Sequence, residues 1–170
     1  MPAKKILIIG PAWVGDMVMA HSLFQILKQQ DPTVQIDVAA PAWTLPLLDR
    51  MPEVSEKIAL PFKHGQLDLR ARIQLGRRLS HEGYTQSINL VNSLKSAILP
   101  FVAGIQIRTG FLGEMRYGLL NDIRPLDKSV LAKTVERFIA LGSDKEKCLP
   151  PTPQPKLLAD KTNAKKLLTK

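Results

Sequence analysis

Asp16 closes a glycine-bracketed segment, residues 10–16 (GPAWVGD), which follows an apolar run at residues 4–9. Glycines at both ends let the backbone turn tightly, and they allow a ligand to approach closely, at Gly15 for example. A carboxylate at the mouth of a cleft can act as a general base and accept a proton from a substrate hydroxyl. Asp16 is equally suited to cap the helix predicted next, which would contribute about 1 kcal/mol. Spacing alone leaves both interpretations open.

Two cationic residues also follow predicted strands. Lys95 falls in the first turn of a predicted helix, where the helix N-terminus already favours anions. It is either part of an anion site or an ordinary surface lysine. Arg116 lies in a long loop, residues 110–121, and long loops are often functional. Its planar guanidinium could hold a phosphate or a carboxylate.

Three arginines share the polar side of a helix predicted over residues 67–81: Arg70, Arg77 and Arg78. By default they form a solvated face. With an anionic ligand they would become a docking patch.

Several kinds of site are excluded by the pattern. The first loop has neither the second glycine of a dinucleotide-binding fingerprint nor the Gly-Lys-Ser/Thr of a P-loop. His21, His64 and His81 are scattered without metal-ligand spacing, so we expect no metal ligand. One cysteine, Cys148, excludes an internal disulfide and agrees with a reducing compartment.

Charge narrows the class of partner. The net charge is +9 over 170 residues, which favours anionic partners. Part of the excess lies in a basic tail, namely Lys156, Lys161, Lys165, Lys166 and Lys170. Only 5% of residues are aromatic and no basic stripe contains them, so we expect no nucleic acid as partner. No apolar run approaches the length of about 20 residues that a membrane span needs.

Predicted strands and helices alternate along the chain, and their arrangement determines where the candidate site residues lie. Short apolar runs predict strands, periodic segments predict helices, and the two alternate along the chain. The predicted strands cover residues 4–9, 35–39, 57–60, 87–91 and 105–109, and the predicted helices residues 17–30, 43–50, 67–81, 93–103 and 131–141. The pattern predicts a doubly wound, mostly parallel, Rossmann-like α/β sheet, whose ligands bind beyond the carboxyl ends of the strands.

Composition divides the chain at about residue 149. We expect a Rossmann-like domain over residues 1–148 and a Pro/Lys-rich linker over residues 149–170, which contains four closely spaced prolines. Proline favours extended, semi-rigid backbone. A linker here predicts a further domain after it.

Six segments carry a family resemblance, in order along the chain: residues 6–17, 40–43, 50–54, 92–97, 113–122 and 135–137. Together they resemble the lipopolysaccharide heptosyltransferases of glycosyltransferase family 9. The segments 13–16 (WVGD) and 114–117 (EMRY) favour the type II subgroup, the ADP-heptose:lipopolysaccharide heptosyltransferases II.

The resemblance implies a GT-B glycosyltransferase, with two Rossmann-like domains facing across a cleft. This chain is then the N-terminal half, which binds the acceptor, heptosyl-Kdo2-lipid A of the lipopolysaccharide inner core. By resemblance, Asp16 is the catalytic base of an inverting transfer, and Lys95 and Arg116 match positions associated with the anionic acceptor.

The donor, ADP-L-glycero-D-manno-heptose, would bind a C-terminal donor domain, because the family is about twice as long as this chain. We therefore expect no cofactor in this chain and no transfer by these 170 residues alone. We expect a cytoplasmic protein, with a peripheral position at an anionic membrane surface suited to its charge.

Two alternatives follow from the residues alone. One is another nucleotide-sugar-binding Rossmann domain, which tight binding of ADP or NAD would favour. The other is a non-catalytic basic module that binds membranes or nucleic acid.

Overall fold

The computed structural model describes residues 4–61, 66–144 and 148–159. Six strands form one wholly parallel sheet in the order β3-β2-β1-β4-β5-β6. The strands are β1 Lys5–Ile9, β2 Gln35–Ala40, β3 Glu56–Ala59, β4 Gln86–Asn89, β5 Ile107–Phe111 and β6 Asp122–Arg124. The predicted α/β class is confirmed. The strand order reverses between β1 and β4, which is the doubly wound arrangement of a Rossmann-like fold.

Helices cover both faces of the sheet. They are α1 Val14–Gln30, α2 Leu45–Leu48, α3 Leu69–Leu79, α4 Leu94–Val102 and α5 Thr134–Gly142, and a 3-10 turn at Ala42–Thr44 precedes α2. One apolar core lies between the sheet and α1, α2 and α5, and a second lies beneath α3 and α4. Because β1 is at the centre of the sheet, its residues Ile6–Ile9 are buried on both faces, as their unbroken apolar run predicts.

The segment around β5 differs most from the prediction. β5 begins two residues later than expected and includes Phe111, so the loop after it starts at Leu112. β6 was not predicted. It has three residues, and two of them, Asp122 and Arg124, are charged and form an ion pair. A strand this short and polar lacks the apolar alternation that indicates a strand.

The apolar residues of α3 by themselves indicate a buried face formed by Leu69, Ile73 and Leu79. The structure buries Leu79, as this spacing indicates, but it exposes Leu69, and Arg72 and Leu75 are buried as well. Gly76 sets this rotation, because a Cβ there would lie 2.7 Å from a methyl group of Val102 on α4. Close contact between α3 and α4, which no local pattern reveals, therefore decides which arginine points inward.

Residues 148–159 contain neither helix nor strand and run along the outside of α1. The Ser22 hydroxyl donates to the carbonyl of Pro153 at 2.8 Å, and the Leu158 N–H donates to the carbonyl of Arg50 at 2.9 Å. The first part of the predicted linker is thus extended and attached to the domain. The basic tail from Lys161 onward lies outside the described residues, and the division into domain and linker stays a prediction.

Candidate active site

A cavity of about 380 Å³ opens where the strand order reverses, beyond the carboxyl ends of β1 and β4. The segment after β1, from Gly10 to Trp13, forms one wall, and the segment after β4, from Leu90 to Ser93, forms the opposite wall. In doubly wound sheets this crevice is where ligands bind. The location that the sequence predicts for the site, beyond the carboxyl ends of the strands, therefore coincides with this cavity.

The first turns of four helices supply the charged groups that line the cavity. Asp16 comes from α1, Arg72 from α3, Lys95 from α4 and Arg137 from α5. Among the described residues, these three cationic side chains and one carboxylate are the charged groups at the cavity. Because each helix N-terminus adds a partial positive charge, the cavity favours an anionic ligand while it keeps one group that can accept a proton.

Asp16 is the third residue of α1 and half-buried, and it borders the cavity. The interpretation of Asp16 as the helix cap is wrong, because Trp13 occupies the N-cap position and its side chain makes no capping hydrogen bond. A carboxylate in the first turn still interacts favourably with the helix dipole, at about 0.3–1 kcal/mol. The position therefore gives Asp16 a modest role in stability and leaves its carboxylate facing the cleft.

The two glycines of the first loop have different roles. A Cβ at Gly10 would lie 2.8 Å from the terminal methyl of Met17 and 3.2 Å from a methyl of Val38, so Gly10 allows α1 to approach the sheet closely. A Cβ at Gly15 would meet nothing within 4 Å, and the residue is exposed. Gly15 therefore has open space around its backbone, whereas Gly10 borders the cavity but is closely packed where a Cβ would lie. The predicted contact of Gly15 with a ligand stays a prediction.

Arg72 is a cavity residue that sequence reasoning missed. Its side chain is only 4% exposed, yet it borders the cavity. The guanidinium donates to the carbonyls of Gln66, Leu67 and Lys95, the last at 3.0 Å. Burial lowers the pKa of Arg72, and the carboxylate of Asp68 partly opposes this. The contact with Lys95 ties the start of α3 to the first turn of α4, so Arg72 fixes the wall that carries Lys95.

Lys95 and Arg137 face the cavity from different layers of the domain. Lys95 is half-buried at the second position of α4 and borders the cavity, a position compatible with the anion site that the sequence offered as one of two interpretations. Arg137 lies on α5, on the other face of the sheet, and donates to the carbonyls of Leu131 and Ala132 at 2.9 and 2.8 Å. Arg137 belongs to one of the segments that carry the family resemblance, residues 135–137, but the sequence analysis assigned it no place in the site.

Arg116 does not reach the cavity. It is fully buried (0% exposed) and donates to the carbonyls of Val91 and Phe111, to the side-chain oxygen of Asn92 and, at 3.4 Å, to the Ser96 hydroxyl. All four acceptors belong to residues that line the cavity. Burial lowers the pKa of Arg116, and the Glu114 carboxylate opposes this. The structure thus places Arg116 behind the wall as its support, rather than in contact with a ligand.

The arginines of the predicted docking patch are separated from the cavity. Arg70, Arg77 and Arg78 are exposed on α3. Arg70 and Arg77 border a separate shallow depression, and Arg78 lines another cavity together with Lys5, near the amino ends of the strands. None of the three lines the cleft. These three arginines therefore form a solvated face, and the arginine of α3 that lines the cleft is Arg72.

Metal ligands are not brought together in the part of the chain that the structure describes, where no group of three or more His, Cys, Asp or Glu could hold an ion. The buried His21 is bonded through Nε2 to Glu53 at 2.7 Å, and His81 is exposed. His64 lies outside the described residues. Within the same ranges, no helix is long and apolar enough to cross a membrane.

Comparison with known proteins gives one family. Residues 72–170 match the model of glycosyltransferase family 9 (heptosyltransferase). Lipopolysaccharide heptosyltransferase 2 of Escherichia coli is 55% identical over 141 residues, which are 83% of this chain and 40% of that protein. Lipooligosaccharide heptosyltransferase 2 of Haemophilus ducreyi is 54% identical over 138 residues, 81% of this chain and 39% of that protein. The chain thus spans about 40% of the length of these relatives.

Solved structures show the same relationship. The structure of E. coli ADP-heptose lipopolysaccharide heptosyltransferase II matches with a TM-score of 0.86 and 44% identity, over 97% of this chain and 50% of that one. A family 9 glycosyltransferase from Veillonella parvula matches with a TM-score of 0.74 at 17% identity, over 91% of this chain and 44% of that one, which shows the shared fold alone. Because the family model covers more than half of the 170 residues, and the expected resemblance is confirmed by the relatives, the chain belongs to glycosyltransferase family 9, the heptosyltransferases.

Proposed function

We propose that this chain forms the acceptor-binding half of an inverting enzyme that transfers heptose from ADP-heptose to the inner core of lipopolysaccharide. The observation that carries the proposal is the position of Asp16. In a member of a glycosyltransferase family, a half-buried carboxylate borders the cleft at the switch point of the sheet, beside three cationic side chains. The names of the relatives support the choice of heptose and lipopolysaccharide.

The chemistry assigned to Asp16 is proton acceptance. A hydroxyl of the acceptor loses its proton to the Asp16 carboxylate while its oxygen forms a bond to the anomeric carbon of the donor. The bond from that carbon to the diphosphate breaks, and ADP leaves with the electron pair. Attack from the face opposite the leaving group inverts the configuration. A C-terminal donor domain would hold ADP-heptose, and this chain orients the attacking hydroxyl.

The cationic groups act on the rest of the acceptor. Lys95 and Arg137 can pair with phosphate or carboxylate groups from two sides of the cleft, and Arg72 holds the Lys95 segment in place. Such contacts fix the acceptor hydroxyl near Asp16, and positioning of this kind is a large part of catalysis. The same charges, together with the net charge of +9, would favour a lipid-anchored acceptor at an anionic membrane surface.

The test replaces Asp16 by Asn in an enzyme that carries this chain followed by a donor domain. We expect kcat to fall by roughly 10²–10⁴-fold, the usual contribution of a general base. The melting temperature should fall by only about 1–4 °C, because the favourable dipole interaction of a first-turn carboxylate is about 0.3–1 kcal/mol. Asp31→Asn, at the C-cap of the same helix, is the matched control and should keep kcat.

Two results would contradict the proposal. Asp16→Asn with more than half of the wild-type kcat would remove the assigned base. Turnover by the 170-residue chain alone would show that donor binding and catalysis do not need a second domain.

A further inference from the structure

Both tryptophans of the chain are linked to the segment from Gly10 to Trp13 that forms one wall of the cleft. The sequence contains two, Trp13 and Trp43, and they are 71% and 55% exposed. The Trp43 indole N–H donates to the carbonyl of Ala12 at 2.9 Å and so holds the segment that carries Trp13. Trp13 itself lines the cavity. Large aromatic side chains are on average highly buried, so one exposed at the mouth of a cavity is a candidate contact for a ligand.

The groups around Trp13 indicate what kind of ligand it contacts. The same cavity presents the Asp16 carboxylate, the Asn92 side chain and Lys95. A flat apolar surface beside a few polar groups suits a ligand with one apolar face and a polar rim. A pyranose ring has this character, because its axial C–H bonds lie on one face and its hydroxyls project around the rim.

We propose that Trp13 is the stacking platform for a sugar ring of the acceptor, and that it selects which hydroxyl faces Asp16. This inference rests on the proposed function. Trp13 is the N-cap of α1, and its carbonyl accepts the Met17 N–H at 3.0 Å. Since Trp13 and Asp16 belong to the same start of one helix, a ring stacked on the indole has its rim at a fixed position relative to the carboxylate.

Trp43 has a supporting part in the same arrangement. Its indole N–H is engaged by the Ala12 carbonyl, and the residue is not among those that line the cavity. Trp43 is therefore a positioning residue for the segment before Trp13. The two indoles are thus distinguishable, because a bound sugar should change the environment of Trp13 and leave that of Trp43 nearly unchanged.

The test uses the intrinsic fluorescence of the chain, which comes from these two indoles. In Trp43→Phe, Trp13 is the remaining tryptophan, and addition of a lipid-free heptosyl-Kdo2 oligosaccharide should shift or quench its emission. In Trp13→Phe the same addition should leave the emission of Trp43 unchanged. Calorimetry with the same oligosaccharide should show that Trp13→Leu, which keeps an apolar side chain but loses the ring, weakens binding roughly five- to tenfold. Trp13→Phe should remain within about threefold of wild type.

Phe101→Leu is the matched control. Phe101 is another exposed aromatic residue, near the far end of α4 and outside the cavity lining, and its replacement should leave binding unchanged. Melting temperatures of the Trp13 variants should stay close to wild type because the side chain is mostly exposed.

The outcomes separate the two proposals. Binding by Trp13→Leu that equals wild type would overturn the stacking role while leaving the acceptor function intact. No binding of the oligosaccharide by the wild-type chain would overturn the proposed function, and the inference with it. A fluorescence change with vesicles of phosphatidylglycerol but none with the lipid-free oligosaccharide would show that Trp13 meets a membrane, and would also overturn the stacking role.

Discussion

Replacing Gly15 by Ala should raise stability and lower activity at the same time. Gly15 is the second residue of α1, and a Cβ there would meet nothing within 4 Å. In a helix interior alanine is more favourable than glycine by about 1 kcal/mol. In the first turn we expect about half of that. For a domain of this size the melting temperature should rise by about 1–2 °C.

The effect on activity has the opposite sign if the acceptor approaches this backbone. The new methyl group would occupy the open space beside Asp16, so that the acceptor hydroxyl is displaced from the carboxylate. A displacement of about 1 Å can lower the rate roughly 10²-fold. We therefore expect Gly15→Ala, in the enzyme with its donor domain, to lose at least tenfold in kcat/KM while it melts at a slightly higher temperature.

Gly10→Ala is the comparison in which the added methyl group disturbs the packing of the core. Its Cβ would lie 2.8 Å from the Met17 methyl and 3.2 Å from Val38, both of which are fully buried. Overpacking of this kind destabilises by about 1–3 kcal/mol. Differential scanning fluorimetry gives the melting temperatures of both variants, and steady-state kinetics gives their kcat/KM values. Unchanged kcat/KM in Gly15→Ala, or a lower melting temperature, would refute the assignment of Gly15 to the acceptor site.

Two further substitutions test the supports of the fold. Arg116→Met should lower the free energy of unfolding by roughly 3 kcal/mol, because the three hydrogen bonds of Arg116 to Val91, Asn92 and Phe111 contribute about 1 kcal/mol each. A loss below about 0.5 kcal/mol in urea denaturation would contradict the support role. Tyr84 donates to the buried carboxylate of Asp37 at 2.7 Å, so Tyr84→Phe should cost about 1.5–3 kcal/mol near pH 7. Burial is the main cause that raises the pKa of Tyr84 above its ordinary value, and the neighbouring Asp37 carboxylate adds to it. As the pH rises, the phenol therefore loses its proton in the unfolded chain before it does so in the folded protein. This contribution to stability is then full below about pH 10 and declines above it. If the free energy of unfolding of wild type and of Tyr84→Phe differed by the same amount at every pH up to about 11, this assignment would be contradicted.

The sequence by itself determined the class of fold and the place of the site. Alternation of apolar strands with periodic helices is a local property, so it predicted the α/β sheet and its carboxyl edge without knowledge of any contact. The run that forms β1 ends at Gly10, and the segment after it had to lie at that edge. The sequence therefore placed Asp16 at the correct edge of the sheet. It did not tell whether Asp16 caps α1 or borders the cleft, and the helix start at Val14 answers that question.

Only the tertiary structure decided which arginines border the cavity. Arg70, Arg72 and Arg77 lie within two turns of the same helix, and their order in the sequence does not tell which one points inward. Close contact of Gly76 with α4 turns Arg72 toward the cleft and the other two toward solvent. Arg116, in a loop that suggested an exposed anion site, is instead buried behind the wall that it supports. The direction of a side chain depends on the element packed against it, and that element lies far away in the sequence.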